Sequence, residues 1–186
     1  MIRTEERCWG LALTAFVLLS CFTFACQDKV SVAALEEHRA QAALEEQNRA
    51  LVTRVFDGLN RQDETIYQEL YAAEYGWHFP ASNPTALTRE EEAGFVKLLW
   101  AGFPDIHWEI EETIARDDRI VARFTARGTH KGEYQGLFPT GNTFETGGVM
   151  MARIKNGKVV EVREEFDALG WMQQLGMELK PKEVEK

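Results

Sequence analysis

GTHKGEYQGLFPTG, which spans Gly128–Gly141, contains one histidine, three further glycines after Gly128, and a Pro-Thr-Gly turn that ends at the last of them. Glycine permits positive φ angles and close backbone approach, and proline presets a turn. The residues of Arg119–Thr129 alternate as in a strand that leads into this segment, so the strand must end in a shaped loop with His130 at its mouth. Because loops on rigid scaffolds often carry function, His130 is the first candidate for a functional residue.

The second half of the chain alternates apolar and polar residues with a period of two, which is typical of half-buried strands. This alternation predicts four consecutive strands, at Ile106–Ile114, Arg119–Thr129, Thr143–Lys155 and Lys158–Phe166. Asp117-Asp118 fits a turn between the first two strands, and Asn156-Gly157, the strongest short hairpin signal, separates the last two. We therefore expect antiparallel pairing.

Helical patterns dominate the first half of the chain. They predict helices at Val32–Asn60, Glu64–Tyr71, Thr88–Ala101 and, after the strands, Ala168–Leu175. A short strand is expected at Tyr75–Phe79. Helices followed by antiparallel strands predict an α+β fold, in which a curved antiparallel sheet wraps around the N-terminal helices and leaves a cone-shaped, largely apolar pocket.

Composition limits the classes of function. The chain has 186 residues, 45% of them hydrophobic, and a formal net charge of −9. An acidic domain without a basic stripe is a poor binder of nucleic acid and gains no attraction from anionic lipid. The three cysteines, Cys8, Cys21 and Cys26, all precede residue 27, so the remainder of the chain can contain neither a disulfide nor a thiolate metal site.

The N-terminal segment Cys8–Cys26 has no charged residue and precedes a polar run, which is the layout of an export signal. It resembles a bacterial lipoprotein signal, in which a cysteine after a small residue is lipidated. Cys26 is the preferred lipidation site and Cys21 the alternative. The segment is also long enough for an uncleaved membrane anchor, and plain secretion is a third reading. We expect export to the bacterial cell envelope, with the protein anchored in the membrane by a lipid or by the N-terminal helix.

These patterns divide the chain into four parts. Residues 1–26 are the signal or anchor, 27–46 an exposed helical spacer, 47–178 the folded domain, and 179–186 a charged tail.

Few residues of the domain could carry chemistry. His130 continues the even-numbered face of its strand, so alternation directs it into the pocket, although it could instead pin the loop. His78 could be a second polar group of the pocket or lie on the surface. Either Glu164 or Glu165 could enter the pocket, but not both, because adjacent residues of a strand face opposite ways. No third ligand accompanies the histidines, so no metal is expected.

Five segments together resemble the SnoaL-like polyketide cyclases, also called ester cyclases. They are Arg49–Asp63, Phe103-Pro104-Asp105, Gly128–Gly141, Ile154–Glu161 and Glu164–Gly176. The resemblance covers roughly residues 47–176. It implies a cystatin-like α+β barrel that is often dimeric or tetrameric, with a homodimer expected here. It also implies a pocket that binds a small carbonyl or ester compound without metal or cofactor.

The resemblance also implies roles for single residues. His130 matches the histidine of the family's GTH-x-G motif, and His78 matches the histidine before the first-strand proline, so both are candidates for catalysis. The family's acid/base aspartate would fall at Met150, and methionine cannot take a proton. The expected pocket comprises Met150 with Phe95, Trp100, Phe124 and Glu164.

Three functions are consistent with this pattern. The domain is a cofactor-free cyclase or isomerase of the intramolecular aldol type, or an envelope-tethered protein that binds a small molecule without catalysis, or a dimer module on a stalk. Met150 favours binding, because it makes the pocket less polar.

Overall fold

The computed structural model of the protein describes residues 6–178 and residue 180, and it describes side chains from Val32 onward. Its elements are α1 (Glu6–Asn60), α2 (Ile66–Glu69), β1 (Tyr71–His78), α3 (Arg89–Gly102), β2 (His107–Arg116), β3 (Arg119–Thr129), β4 (Thr143–Lys155), β5 (Lys158–Phe166) and α4 (Ala168–Gln174). The chain divides into one compact unit that ends at Ala43 and a second that begins at Leu44. The candidate site lies in the second unit.

The predicted N-terminal signal, with Cys21 and Cys26, lies outside the residues whose side chains are described. The predicted tail lies almost wholly outside the described residues as well. Among the residues whose side chains are described, no helix is long and apolar enough to cross a lipid bilayer.

The five strands form a single sheet in the order β1-β5-β4-β3-β2. The pairs β2–β3, β3–β4 and β4–β5 are antiparallel, which confirms the predicted run of four strands. Interruptions of the register in β2–β3 and β4–β5 are typical of the bulges that bend a sheet. The α+β class with a curved sheet is therefore confirmed.

The first strand differs from its prediction. β1 begins at Tyr71, where a helix was expected, and it pairs parallel with β5. The pairing joins Tyr71 to Val159, and the Val159 amide donates a hydrogen bond to the Leu70 carbonyl. This partner lies almost ninety residues away along the chain, so local periodicity could not reveal it.

Local signals at two other places predicted the backbone correctly. Asn156 and Gly157 have φ angles of 53° and 69°, the left-handed pair that a two-residue hairpin turn requires. Thr88 caps α3, since its side chain accepts a hydrogen bond from the Glu91 amide and Glu91 reaches back to the Thr88 amide.

Buried residues form two clusters. The first core cluster joins the end of α1, including Val52, Val55 and Phe56, to α2, β1 and the sheet residues Ile120 and Ala122. The second core cluster joins α3 to α4 and comprises Val96, Trp100, Phe103, Ile106, Ala126, Tyr134, Phe144, Trp171 and Leu175.

The glycine-rich loop after β3 is seated on the C-terminal end of α3. The amides of Lys131 and Gly132 both donate to the Gly102 carbonyl at 2.9 Å. A Cβ atom at Gly132 would lie 2.0 Å from the Ala101 carbonyl oxygen, which is far inside van der Waals contact. Position 132 must therefore be glycine for the loop to approach the helix this closely.

We expect Gly132→Ala to lower the free energy of unfolding by about 1–3 kcal/mol, because the added methyl group overlaps the Ala101 carbonyl oxygen. Gly94→Ala in α3 is the matched control, since a Cβ there meets nothing within 4 Å, and it should leave stability unchanged or raise it by about 0.5–1 kcal/mol. Urea denaturation measures both. Equal stability of the two variants would show that the loop is not tightly seated.

Candidate functional site

A cavity of about 60 Å³ lies where the two core clusters meet. Its lining is mostly aromatic and comprises Trp77, Phe79, Phe95, Trp108, Phe124, Phe144, Phe166 and Trp171. Leu99, Ile106 and Ala126 add aliphatic surface, and the remaining lining side chains are Thr146 and Glu164. A carboxyl group in such a lining is the one group there that can exchange a proton near neutral pH.

Glu164 reaches the cavity from β5. Its Oε2 accepts a hydrogen bond from Trp77 Nε1 at 3.3 Å, and its side chain is only partly exposed, whereas its neighbour Glu165 is exposed. The alternation of the strand thus resolves the choice between the two glutamates in favour of Glu164. Across the β4–β5 ladder, Glu164 pairs with Met150, so the two side chains share one face of the sheet.

Burial among the aromatic rings raises the pKa of Glu164 to about 7, against the smaller, opposite effect of its hydrogen bond from Trp77. The carboxyl group therefore populates both its neutral and its ionised form near neutral pH. A general base works best when its pKa lies near the working pH. The chemistry of the site is thus suited to moving a proton between Glu164 and a bound compound.

A second buried carboxyl group, Glu92, projects from α3. Its side chain is 7% exposed and accepts a short hydrogen bond from the Tyr75 hydroxyl. Burial raises the pKa of Glu92 to about 8; the Tyr75 hydroxyl opposes this shift and the charge of Glu164 adds to it. Glu92 does not line the cavity, so it cannot act on a ligand there directly.

Three tyrosines surround this acid. The rings of Tyr67 and Tyr71 lie 5.0 Å apart, and those of Tyr71 and Tyr75 lie 4.8 Å apart. Burial raises the pKa of each of the three, so they stay neutral donors. The Tyr67 hydroxyl has no hydrogen-bond partner among the described residues.

Glu92 is not among the site residues predicted from the sequence, although the sequence contains a signal for its burial. Glu92, Val96 and Trp100 recur at intervals of four along α3, and all three are buried. An acid in phase with the apolar stripe of an amphipathic helix is therefore a candidate for burial.

His130 is fully buried but does not line the cavity. Its ring stacks on Phe103 at 5.1 Å, beside the second core cluster. The Thr140 amide lies 3.3 Å from Nδ1 and can only donate, so Nδ1 accepts and Nε2 carries the hydrogen. Among the described residues, Nε2 has no partner. Alternation directed His130 into the pocket, but the side chain packs against the second core cluster instead of lining the cavity. The catalytic role of His130 stays a prediction.

His78 lies at the end of β1 and also stands apart from the cavity lining. Its Nδ1 is 2.7 Å from the Asn83 carbonyl oxygen, which can only accept, so Nδ1 donates. Nε2 then accepts from Arg163 at 3.4 Å. Arg163 also donates to the Ala81 carbonyl oxygen, so the two side chains hold the loop at 79–88. The predicted catalytic role of His78 also stays a prediction.

The remaining predicted pocket residues fall into two groups. Phe95, Phe124 and Glu164 line the cavity. Met150 belongs to the first core cluster and Trp100 to the second, and neither lines the cavity. In the part of the chain that the structure describes, no three His, Cys, Asp or Glu side chains are grouped closely enough to hold a metal ion.

Comparison with known proteins gives one family. The family model of SnoaL-like polyketide cyclases matches residues 49–175. Wild-type IdmH from Streptomyces antibioticus, a candidate polyketide cyclase, is 28% identical with a TM-score of 0.64, over 70% of this chain and 99% of that one. No curated protein matches the chain.

Two further solved structures share the fold. A candidate SnoaL-like polyketide cyclase from a Jannaschia species is 25% identical with a TM-score of 0.64, over 73% of this chain and 96% of that one. AclR from Streptomyces galilaeus, a candidate hydroxylase, is 24% identical with a TM-score of 0.65, over 71% of this chain and 97% of that one.

We expect the free energy of unfolding to fall as pH rises from about 5 to about 8 and then to level off. Between the unfolded pKa of Glu92, 4.5, and its folded pKa of about 8, only the folded state keeps the proton, so rising pH favours unfolding. Glu92→Gln should flatten this dependence, and Glu164, whose pKa is also raised, should leave a residual slope.

Urea denaturation at about pH 5, 6, 7 and 8 measures how the free energy of unfolding depends on pH. The exposed Glu165→Gln variant is the control and should keep the wild-type slope. An unchanged slope in Glu92→Gln would show that Glu92 is ionised in the folded protein.

Proposed function

We propose, from the premise that the chain belongs to the SnoaL-like polyketide cyclase family, that Glu164 is the general base of a cofactor-free reaction on a small apolar carbonyl or ester compound. One observation supports this proposal above the others. Glu164 is a carboxyl group on the lining of an otherwise aromatic cavity, and its pKa is raised to about 7.

The proposed step is a proton transfer. Ionised Glu164 removes a proton from the carbon beside the ligand's carbonyl group, and the neutral acid returns that proton to the product, as in an aldol closure or an isomerisation. The Trp77 indole N–H, which donates to Oε2, fixes the orientation of the carboxylate. Burial among the aromatic side chains reduces the hydration of the Glu164 carboxylate, which raises its pKa and makes it a stronger base.

Glu164 compensates for the methionine at position 150. The resemblance puts the family's acid/base aspartate at Met150, and Glu164 is its direct partner on the next strand. Paired residues of an antiparallel ladder have Cα atoms about 5 Å apart and side chains on the same face. A longer side chain on β5 can therefore bring a carboxylate near the place where an aspartate on β4 would bring it.

A second candidate function is binding without catalysis. It is favoured by Met150 and by the small number of polar groups on the lining. In this case Glu164 would serve only to orient a ligand that carries a hydrogen-bond donor, and no proton would be transferred to carbon.

The location of the protein also belongs to this proposal. The uncharged segment before residue 27 supports export to the bacterial envelope, with lipid attached to Cys26 or to Cys21. Two acyl chains would give stable anchoring. Intact mass spectrometry of the membrane-extracted protein tests the lipid attachment. A homodimer is also part of the proposal and is supported by the family resemblance alone.

We expect the wild-type chain to catalyse hydrogen–deuterium exchange at the methyl group of acetophenone, followed by proton NMR in heavy water. Glu164→Gln keeps the shape of the side chain but removes the base, so catalysed exchange should fall by about a hundredfold or more. Glu165→Gln is the matched control on the opposite, exposed face of the strand and should exchange like wild type.

The pH dependence gives an independent readout. Catalysed exchange should rise as the pH passes through about 7, where Glu164 ionises. Full exchange by Glu164→Gln would remove Glu164 from the mechanism. If wild type binds acetophenone without any exchange above buffer, the binding function replaces the catalytic one.

A further inference from the structure

Three nearly parallel aromatic rings stand beside Glu164. Trp77 and Phe79 lie 4.9 Å apart with an interplanar angle of 8°, and Phe79 and Phe166 lie 5.3 Å apart with an angle of 6°. Phe79 is thus sandwiched between an indole and a phenyl ring. Both separations are those of ordinary aromatic stacks, so each outer ring presents a flat face to whatever occupies the middle position.

The two outer rings are fixed by the sheet. Trp77 is buried, its backbone exchanges two hydrogen bonds with Leu87 at 2.8 Å, and it pairs with Val162 of β5 on the other side. Phe166 ends β5, where it pairs with Gly148 of β4. The backbone positions of the two residues on either side of Phe79 are therefore fixed by the sheet.

The middle ring, that of Phe79, belongs to a loop and not to a strand. Phe79 is the first residue after β1, at the start of the loop at 79–88, whose residues are mostly exposed. Two side chains bond to the carbonyl groups of the loop, Arg163 to Ala81 and His78 to Asn83, and Leu87 pairs with Trp77 through the backbone. Rotation of the Phe79 side chain breaks none of these hydrogen bonds.

The size of the cavity makes such movement necessary for binding. At about 60 Å³ the space beside Glu164 is well below the roughly 150 Å³ of an apolar cavity that accepts benzene. A ligand with a ring needs space that one of the lining side chains now occupies. Phe79 is the lining ring that stands between two parallel walls and outside a strand.

We propose that Trp77 and Phe166 form a slot for one planar, unsaturated ring of the ligand, and that Phe79 occupies this slot until the ligand displaces it. The inference deepens the proposed function, because it defines the shape of compound that the same cavity takes. A ring in the slot would stack on Trp77, whose indole N–H bonds to Glu164, so its carbonyl substituent would lie beside that carboxyl group.

Displacement of Phe79 lowers the apparent affinity, since only the fraction of molecules with an empty slot can bind. Phe79→Ala should remove this penalty. We expect the full-length variant to bind naphthyl methyl ketone, a flat probe, at least about tenfold more tightly than wild type does. Adamantyl methyl ketone, which has the same carbonyl group on a bulky, non-planar frame, should gain much less.

Phe95→Ala is the matched control. It removes the same ring from the same cavity, but Phe95 is tilted by 51° to Phe79 and by 56° to Trp77 and, among the described residues, belongs to no parallel stack. Phe95→Ala should raise the affinity for both ketones equally or for neither of them. Calorimetric titration of both ketones into wild type, Phe79→Ala and Phe95→Ala gives the affinity of each variant relative to wild type for each ketone. All titrations use one buffer and one detergent, so partitioning of the ketones into detergent cancels between variants.

The slot is overturned if Phe79→Ala binds the flat ketone no more tightly than wild type, if it favours both ketones equally, or if Phe95→Ala shows the same selectivity. Phe79→Leu gives the same test should the alanine variant not fold, because leucine keeps apolar bulk but lacks a planar face. It too should bind the flat ketone more tightly, and wild-type affinity would overturn the slot.

These outcomes are separate from those of the acid/base proposal. Selective binding by Phe79→Ala without deuterium exchange in wild type would support the slot and overturn Glu164 as a base. Exchange that depends on Glu164, without selective binding, would support the base and overturn the slot.

Discussion

Burial of carboxyl groups among aromatic rings is the constraint on which the site depends. Removing water disfavours the charged form, so Glu92 and Glu164 keep their protons to higher pH than ordinary glutamates do. The two acids differ in what they face. Glu92 meets the hydroxyl of Tyr75 in the core, while Glu164 meets the cavity. Desolvation raises the pKa of both acids, but only Glu164 lies where a ligand can reach it, and Glu92 is a structural acid of the core.

The β4–β5 hairpin determines which glutamate enters the cavity. A shift of one residue in the pairing would turn Glu164 to solvent and Glu165 inward, because side chains alternate between the faces of a strand. The left-handed turn at Asn156-Gly157 starts this ladder with Ile154 opposite Val159, and a register shift between Arg153 and Ile154 then brings Met150 opposite Glu164. The turn and this shift together determine which glutamate enters the cavity.

Local patterns were sufficient for most of the fold and for part of the site. The capping box of α3, the alternation of β2–β5 and the Asn-Gly turn each depend on neighbouring residues, so they could be predicted. The start of β1 could not, because its pairing with β5 is long-range. Alternation directed His130 into the pocket, whereas its buried ring stacks on Phe103 of the second core cluster and does not line the cavity, because alternation gives the face of a strand but not what packs against that face.

The aromatic lining has two consequences that oppose each other. It raises the pKa of Glu164, and it fills the space that a ligand of Glu164 would need. A ligand ring that replaces Phe79 between Trp77 and Phe166 would reconcile the two, since one apolar ring would be exchanged for another. The ligand ring would keep Glu164 buried among apolar groups, so the pKa of Glu164 would stay raised in the complex. In such a site the ligand's own ring would complete the environment that makes the carboxylate a base.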